Sequence, residues 1–553
     1  MRTWLRVALV VAVLLVAAGW LALPYLKLHG LGWISRLTDP IQPTRPVVWQ
    51  AGPSAPAAGP RPPNIVVIVA DDLGFNDLTF AGGGVADGSV PTPHIDSIAH
   101  DGVQLASGYT GNATCAPSRA AILTGRYPTR FGFEFTPAPK IFMRLVASMT
   151  HAAPGTLHQP IYHDDREAAV PPMDQQGVPP SEITLAELLK AQGYHTLGLG
   201  KWHLGETAQL RPEAQGFDEY LGFYSGASMY LDADDPRSVN AVQDFDPIDT
   251  FLWANLPFAV CKDGGDRFAP DRYMTDYLAE EAAQAIAANR NRPFFLYFAP
   301  NAPHTPLQAL RSDYDALAHI GDHRLRVYAA MIRALDRAVG TILQALQANG
   351  LTDDTLVIFT SDNGGANYIG LPDINRPYRG WKMTFFEGGV HAPFFVKWPA
   401  GLPRGTTFTD PVGHVDIFAT AAGAAGAPLP GDRPIDGVNL LPYLRGETSG
   451  APHQALFWRS GDYQTVIAGG WKLQVAKRPA RTWLFNLAAD PAEHTDLSAA
   501  QPDKLRELTA LLHELDAQMV PPAWPSLISA SIAIDHPLGV ADQPSDEYVY
   551  WDN

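Results

Sequence analysis

The sequence predicts an α/β fold: a large, mostly parallel sheet covered by helices on both faces, with a smaller C-terminal antiparallel sheet plus helix. Three observations predict it. Short, continuous, β-branched or aromatic runs recur at Asn64–Ala70, His195–Leu199, Phe294–Ala299 and Thr355–Thr360, each running into polar residues. Such runs suit strands buried on both faces of a sheet. Helical patterns separate them, and alternating strands and helices build parallel sheets. After about residue 455 the pattern changes to close-spaced strands flanking Gly469-Gly470, a hairpin signal. The 553 residues are 46% apolar and 18% charged, a globular composition that excludes wholesale disorder.

In chain order, Arg2 and Arg6 precede a charge-free run from Val7 to Leu26, closed by Lys27. At 1.5 Å per residue that run spans about 30 Å, a bilayer core. Residues 1–36 therefore read as a signal-anchor or as a signal peptide cleaved near Val16-Ala17-Ala18. In both cases Arg2 and Arg6 stay in the cytoplasm and the remainder is exported, periplasmic or extracellular, as a membrane-anchored or secreted protein. Residues 37–63 are rich in Pro, Ala and Gly and read as an extended linker. Residues 64–454 read as the main folded domain, and 455–553 as a C-terminal subdomain and tail. Within the main domain Thr184 and Glu187 form a capping box for a helix that ends at Gly193. Leu325, Tyr328, Ile332, Leu335, Val339 and Ile342 step by three and four along one face of a long helix. Beyond 455, Thr465–Ile467, Lys472–Val475 and Trp483–Phe485 read as strands, and Leu505, Leu508, Leu511, Leu512 and Leu515 as a helix.

The net charge of −17 argues against a nucleic-acid partner. An anionic substrate must then be held by a local positive site. Two cysteines, Cys115 and Cys261, exclude a disulfide framework and thiolate zinc, and leave one bridge open. The sheet itself points to a site, because ligands of such sheets bind beyond the carboxyl ends of the strands. There the chain delivers Asp71-Asp72 and Asp362-Asn363. Oxygen-only ligands favour a hard cation, Ca²⁺ or Mg²⁺.

Cys115-Ala116-Pro117-Ser118-Arg119, continued to Thr124-Gly125-Arg126, resembles the signature of the sulfatase family within the alkaline-phosphatase-like superfamily. Asp71-Asp72-Leu73-Gly74, Gly200-Lys201-Trp202-His203, Ala302-Pro303-His304, Ser361-Asp362-Asn363-Gly364 and Gly380-Trp381-Lys382 resemble its other motifs, in the family's order. The resemblance implies a sulfuric ester hydrolase of arylsulfatase type. It implies that a formylglycine-generating enzyme converts Cys115 to Cα-formylglycine, whose hydrate attacks sulfur and carries a covalent sulfate. It implies Ca²⁺, with Mg²⁺ as the alternative, bound by Asp71, Asp72, Cys115, Asp362 and Asn363. Lys201, His304, Lys382 and Ser225 would bind substrate and Arg119 would hold the hydrate. His304 would be the acid for the leaving oxygen and His203 the base for sulfate release, with the two roles exchangeable. A small-molecule or glycan sulfate ester is the implied substrate. The runner-up is a phosphonate or phosphate ester hydrolase of the same superfamily, followed by a non-catalytic, membrane-tethered binding protein. His151, His158 and His163, in the less familiar stretch from Phe135 to about Pro180, read as surface or pocket-wall residues. Cys115 itself is expected just before a helix that begins near Ser118.

Overall fold

The computed structural model describes the chain except residues 1, 60, 81 and 153–156, and omits side chains at 2, 3, 5, 8, 10, 12, 13, 15–18, 21, 24, 151 and 152. Nine strands form the main sheet: β1 (Asn64–Ala70), β2 (Val103–Leu105), β3 (His195–Lys201), β4 (Glu219–Phe223), β5 (Cys261–Lys262), β6 (Phe294–Ala299), β7 (Thr355–Ser361), β8 (Phe394–Lys397) and β9 (Thr406–Phe408). Their order is β9-β2-β8-β7-β1-β6-β3-β4-β5. The central five, β7-β1-β6-β3-β4, are parallel. The flanking pairs β7–β8, β8–β2 and β4–β5 are antiparallel. All four sequence-predicted strands lie in that parallel centre.

Alternation along the strands feeds two cores. Val66 and Ile68 of β1 join Leu296, Phe298 and Phe359 on one face, while Ile65, Val67 and Val69 join Phe295, Tyr297 and Ile358 on the other. Each face is covered, which is why these strands read as unbroken apolar runs and not as alternating ones. Truncating Ile68, fully buried, to alanine would cost about 2–5 kcal/mol. The helices used below are α1 (Arg2–Thr38), α2 (Cys115–Thr124), α3 (Lys140–Ala152), α4 (Pro247–Asn255), α5 (Met274–Asn289), α6 (His323–Ala348) and α7 (Pro502–Asp516). α5 and α6 cover the first face and α2 the second. The capping box is present, with the Thr184 side chain accepting from the Glu187 N–H.

The C-terminal subdomain is a four-stranded antiparallel meander, β10 (Leu456–Ser460), β11 (Tyr463–Ala468), β12 (Trp471–Lys477) and β13 (Ala480–Asn486), with α7 against it through Leu508 and Leu512. Gly469 and Gly470 turn β11 into β12 with φ of 56° and 78°, a conformation that favours glycine. One feature was not foreseen. Strands Ile528–Ala533 and Tyr548–Asp552 form a second small sheet with Ile161–Tyr162, so the tail pairs with the unfamiliar 135–180 stretch.

One sequence expectation needs correction. α2 starts at Cys115, not near Ser118, with Thr114 as its cap. The first turn of a helix needs no donor from Pro117, so the proline does not delay it, and the Ser118 N–H already closes on Thr114 O at 3.2 Å. The anchor reading gains no support: among the described residues no helix is long and apolar enough to cross a membrane. Half of the side chains of that run, those of Val16, Ala17 and Ala18 among them, lie outside the described residues. At the far end of α1 the Gly32 N–H donates to Asn255 Oδ1 (2.8 Å) and Asn255 Nδ2 donates to Leu28 O (2.8 Å), docking α1 on α4. The stretch after α1 has little regular structure but docks on the main domain: Trp49 is buried and its Nε1 donates to Glu281 Oε2 at 2.8 Å.

Candidate active site

The carboxyl ends of β1, β3, β6 and β7 converge, and backbone bonds fix their relative positions. The Asp71 N–H donates to Ala302 O (3.1 Å) beyond β6, and the Asp362 N–H to Ala70 O (3.0 Å) of β1. Gly200 has φ 107°, and a Cβ there would lie 2.0 Å from Ala299 O, so only glycine lets β3 run this close to β6 before delivering Lys201. Asp72, His203 and Met383 sit at φ of 62°, 63° and 68°. Left-handed backbone at non-glycine residues costs about 1–3 kcal/mol each and concentrates where geometry serves function.

Side chains of opposite charge interleave around Cys115. Lys201 Nζ donates to Asp71 Oδ2 (2.8 Å) and Lys382 Nζ to Asp72 Oδ1 (2.7 Å). Arg119, fully buried in the first turns of α2, donates from Nε to Asp362 Oδ2 (2.9 Å) and from Nη1 to Lys201 O (3.2 Å). Asn363 Nδ2 donates to Asp72 Oδ1 (2.7 Å). The Cys115 sulfur lies 3.2 Å from Lys382 Nζ, 3.6 Å from Asp71 Oδ1 and 3.8 Å from Asp72 Oδ1. Three carboxylates and three cations thus share one buried pocket.

Burial sets the protonation states. It pushes the Cys115 thiol up to about 12, against the pull of Lys201 and Lys382, so at neutral pH the group is a thiol and not a nucleophilic thiolate. Burial would also raise Asp72, but Lys382, then His304 and Lys201, outweigh it and hold that carboxyl far below the usual range. Asp71 goes the other way, raised by burial beyond what Lys201 offsets. Lys382 is held well above its ordinary value, because the Asp72 carboxylate outweighs the effect of burial. Burial lowers His304 to about 4 despite Asp72, and lowers His203 strongly, with Lys201 adding to the effect.

The histidines stand at the rim. His304 Nδ1 lies 2.5 Å from Thr305 O, which places its proton there and leaves Nε2 facing Asp72 Oδ2 at 3.6 Å. His203 Nε2 lies 3.4 Å from Pro137 O, and its buried Nδ1 has no partner. Both line one chamber with Cys115, Ser225 and Lys382. Ser225 Oγ is spent locally, donating to Ala227 O at 3.0 Å. All eleven sequence-predicted site residues therefore meet at one place, nine by direct contact and His203 and Ser225 through the chamber. Cys115 and Cys261 are both free thiols. His158 stacks on Tyr548, His163 is buried with Nε2 3.0 Å from Ser529 Oγ, and the side chain of His151 is outside the described residues.

Sequence reasoning missed three supports. Tyr368 OH donates to Asp72 Oδ2 (2.9 Å) and accepts from Lys382 Nζ (3.0 Å); a lone tyrosine in a loop carries no pattern. His414 braces the signature helix, its Nδ1 3.1 Å from Ser118 Oγ and its Nε2 2.9 Å from Thr360 Oγ1. Lys472 of β12, fully buried, donates to Glu387 Oε1 (2.7 Å) and lies 3.0 Å from Glu493 Oε1. Glu387 also meets His391 Nδ1 (2.9 Å) and Tyr109 OH (3.1 Å), so this cluster ties the meander to the segment that carries Lys382.

The donor set suits a metal ion. Ligand atoms of Asp71, Asp72, Cys115 and His304 all lie within 4.8 Å of one another. Asn363 Oδ1 is buried without a hydrogen-bond partner, a costly state for an amide oxygen unless something positive takes it. Three neighbouring carboxylates and that orphaned oxygen fit a hard cation.

A mostly parallel sheet that gathers carboxylates, an orphaned amide oxygen and buried cations at its carboxyl edge suits an α/β enzyme acting on oxyanion esters. Residues 63–427 match the family model described as Sulfatase. The N-acetylgalactosamine-6-sulfatase of Mus musculus is 34% identical over 422 residues, spanning 75% of this chain and 72% of the relative. The Mus musculus steryl-sulfatase is 31% identical over 495 residues, spanning 76% and 71%. Among solved structures, Ps i-CgsB in complex with k-i-k-neocarrahexaose superimposes with a TM-score of 0.69 at 30% identity, covering 84% of this chain and 95% of that one. The chain belongs to the sulfatase family. It is a sulfuric ester hydrolase, and its family uses a formylglycine and a metal ion.

Proposed function

We propose that this site hydrolyses sulfate monoesters with residue 115, matured from cysteine to Cα-formylglycine, as the nucleophile. The observation that carries the reading is the ring of Arg119, Lys201 and Lys382 around a Cys115 that burial keeps as an inert thiol. A hydrated aldehyde at position 115 supplies two hydroxyls on one carbon, one to engage sulfur and one to release sulfate. A divalent cation, Ca²⁺ on this reading, held by Asp71, Asp72, Asp362, Asn363 and residue 115, supplies Lewis-acid stabilisation of the sulfate group.

The chain's own groups do the rest. Lys201 and Lys382 would supply positive charge to the sulfate oxygens, and Arg119 would orient the hydrate through hydrogen bonds. An anionic ester beside His304 raises its pKa, so that Nε2 gains the proton it passes to the leaving oxygen, and His203 Nδ1 takes a proton during sulfate release. Ser225 contributes at the chamber wall. Maturation needs a formylglycine-generating enzyme as a partner. Residues 1–36 direct export, as an anchor or as a cleaved leader, 37–63 act as a docked spacer, 64–454 are catalytic and 455–553 support them. Cell fractionation separates anchored from released enzyme, and activity confined to the cytoplasm would contradict export.

The test is peptide mass spectrometry across residue 115 together with turnover of 4-nitrophenyl sulfate. The expected result is an aldehyde in active enzyme and loss of steady-state turnover in Cys115→Ser, whose sulfate ester lacks the second hydroxyl. An unmodified thiol in fully active protein refutes the reading.

A further inference from the structure

The chamber beyond Cys115 has about 290 Å³ of open space. Its charged or basic side chains, Lys382, His203 and His304, all belong to the reaction end, and among the described residues no Asp, Glu or Arg lines it. The distal walls are hydrocarbon and come from three separate elements: Phe142 and Val146 of α3, Phe251 and Leu252 of α4, and Ile528 and Trp551 of the C-terminal strand pair. The rings of Phe142 and Phe251 meet with centroids 4.8 Å apart, joining two of these walls.

The few polar wall groups are committed already. Ser225 donates to Ala227 O (3.0 Å) and Thr114 Oγ1 to Asn112 Oδ1 (3.3 Å). The Asn553 side chain is taken at both ends by the Thr136 backbone, accepting from its N–H (2.6 Å) and donating to its O (3.1 Å). Of these groups only Thr136 Oγ1 lacks a partner. A sugar seated here would bury several hydroxyls with almost nothing to bond, and each orphaned hydroxyl costs roughly tenfold or more in affinity. A ring system of carbon gains by the same contacts.

We propose that this enzyme is selective for sulfate monoesters of bulky, uncharged polycyclic alcohols and phenols, with the hydrocarbon skeleton held between α3, α4 and the C-terminal strand pair. The inference rests on the sulfate-ester reading of the same site. In the reaction the S–O bond to the skeleton breaks, water supplies the new oxygen on sulfate, and the alcohol or phenol departs with a proton on its oxygen.

The experiment measures kcat/KM of the matured full chain for 4-nitrophenyl sulfate, a steroid 3-sulfate and N-acetylgalactosamine 6-sulfate, in the wild type and in Val146→Asn and Leu252→Asn. Both positions are partly exposed, so the variants should fold, and the small aryl ester reports whether they do. The steroid ester should exceed the sugar ester at least about 100-fold, and each variant should lose about tenfold on the steroid ester while 4-nitrophenyl sulfate changes less than about twofold. Preference for the sugar ester, or equal losses on both aryl and steroid esters, overturns the proposal and leaves the sulfatase reading intact. No turnover of 4-nitrophenyl sulfate by matured wild type overturns both.

Discussion

Replacing Lys472 with methionine tests whether the buried cluster under the Lys382 segment is held by charge. Lys472 has no solvent exposure, and its ammonium lies against Glu387 Oε1 at 2.7 Å and Glu493 Oε1 at 3.0 Å. Methionine keeps most of the volume and removes the charge. Breaking a buried pair in this way costs about 3–5 kcal/mol, because a charge is left uncompensated. The lower end applies, since Glu387 keeps His391 and Tyr109, and Glu493 keeps Gln474 Nε2 (3.0 Å) and the Glu387 N–H (2.5 Å). In the wild type burial would raise Glu387, but Lys472 and then His391 hold it low. Burial raises Glu493, opposed by Lys472 and reinforced by Glu387. Without Lys472 both carboxyls have folded pKa values above their unfolded ones. Stability from such groups is complete below the unfolded value and is lost as pH rises through the folded one. The penalty should therefore grow from pH 5 to pH 8, reaching about 3 kcal/mol at pH 8. Urea denaturation of the full chain at the two pH values measures it. Adding Glu493→Gln should recover part of the loss at pH 8. A variant within about 1 kcal/mol of wild type at pH 8 would refute the argument, as would a penalty that shrinks with rising pH.

Three further outcomes follow from the same geometry. Asn363→Ala and Asp362→Ala should lower bound metal per chain by elemental analysis, and undiminished metal in both would remove these residues from the ligand set. Tyr368→Phe removes the hydroxyl shared by Asp72 and Lys382; turnover should drop about tenfold, the scale of one charge-assisted hydrogen bond, with an unchanged melting temperature. Burial lowers the folded pKa of His414 to about 3. Its contribution is complete above its unfolded value and is lost as pH falls, so between pH 7 and pH 4 the wild type should lose about 3 kcal/mol more than His414→Gln; equal losses would sink that assignment.

The parts of this molecule written in local patterns were legible. β1, β6 and β7 are short apolar runs because both of their faces are covered, and the polar residues after them fall at the carboxyl edge, so the catalytic edge could be located from sequence. The site residues were found through motif resemblance more than through periodicity: Lys201 or His304 alone would pass for a surface residue. Pairings between distant segments left no trace. Tyr548–Asp552 joins Ile161–Tyr162 through a partner strand that no turn signal connects, and His414 reaches Ser118 across 296 residues and Thr360 across 54. The start of α2 was misplaced because Pro117 looks like a boundary, whereas a first-turn proline is compatible with helix.

The topology also sets a clock. The segment from Cys115 to Thr124 is buried throughout, so no second enzyme can reach residue 115 once the domain has closed. Closure has to wait, because β1 lies between β6 and β7, whose residues are synthesised long after α2. About 240 further residues must be made after Cys115 before Ser361 exists, and at ~5–20 residues per second that takes roughly ten to fifty seconds. On the proposed reading, maturation is a race run on the nascent chain. Rearrangements that brought β6 and β7 earlier in the sequence would shorten the interval, and would yield well-folded protein with an unconverted thiol.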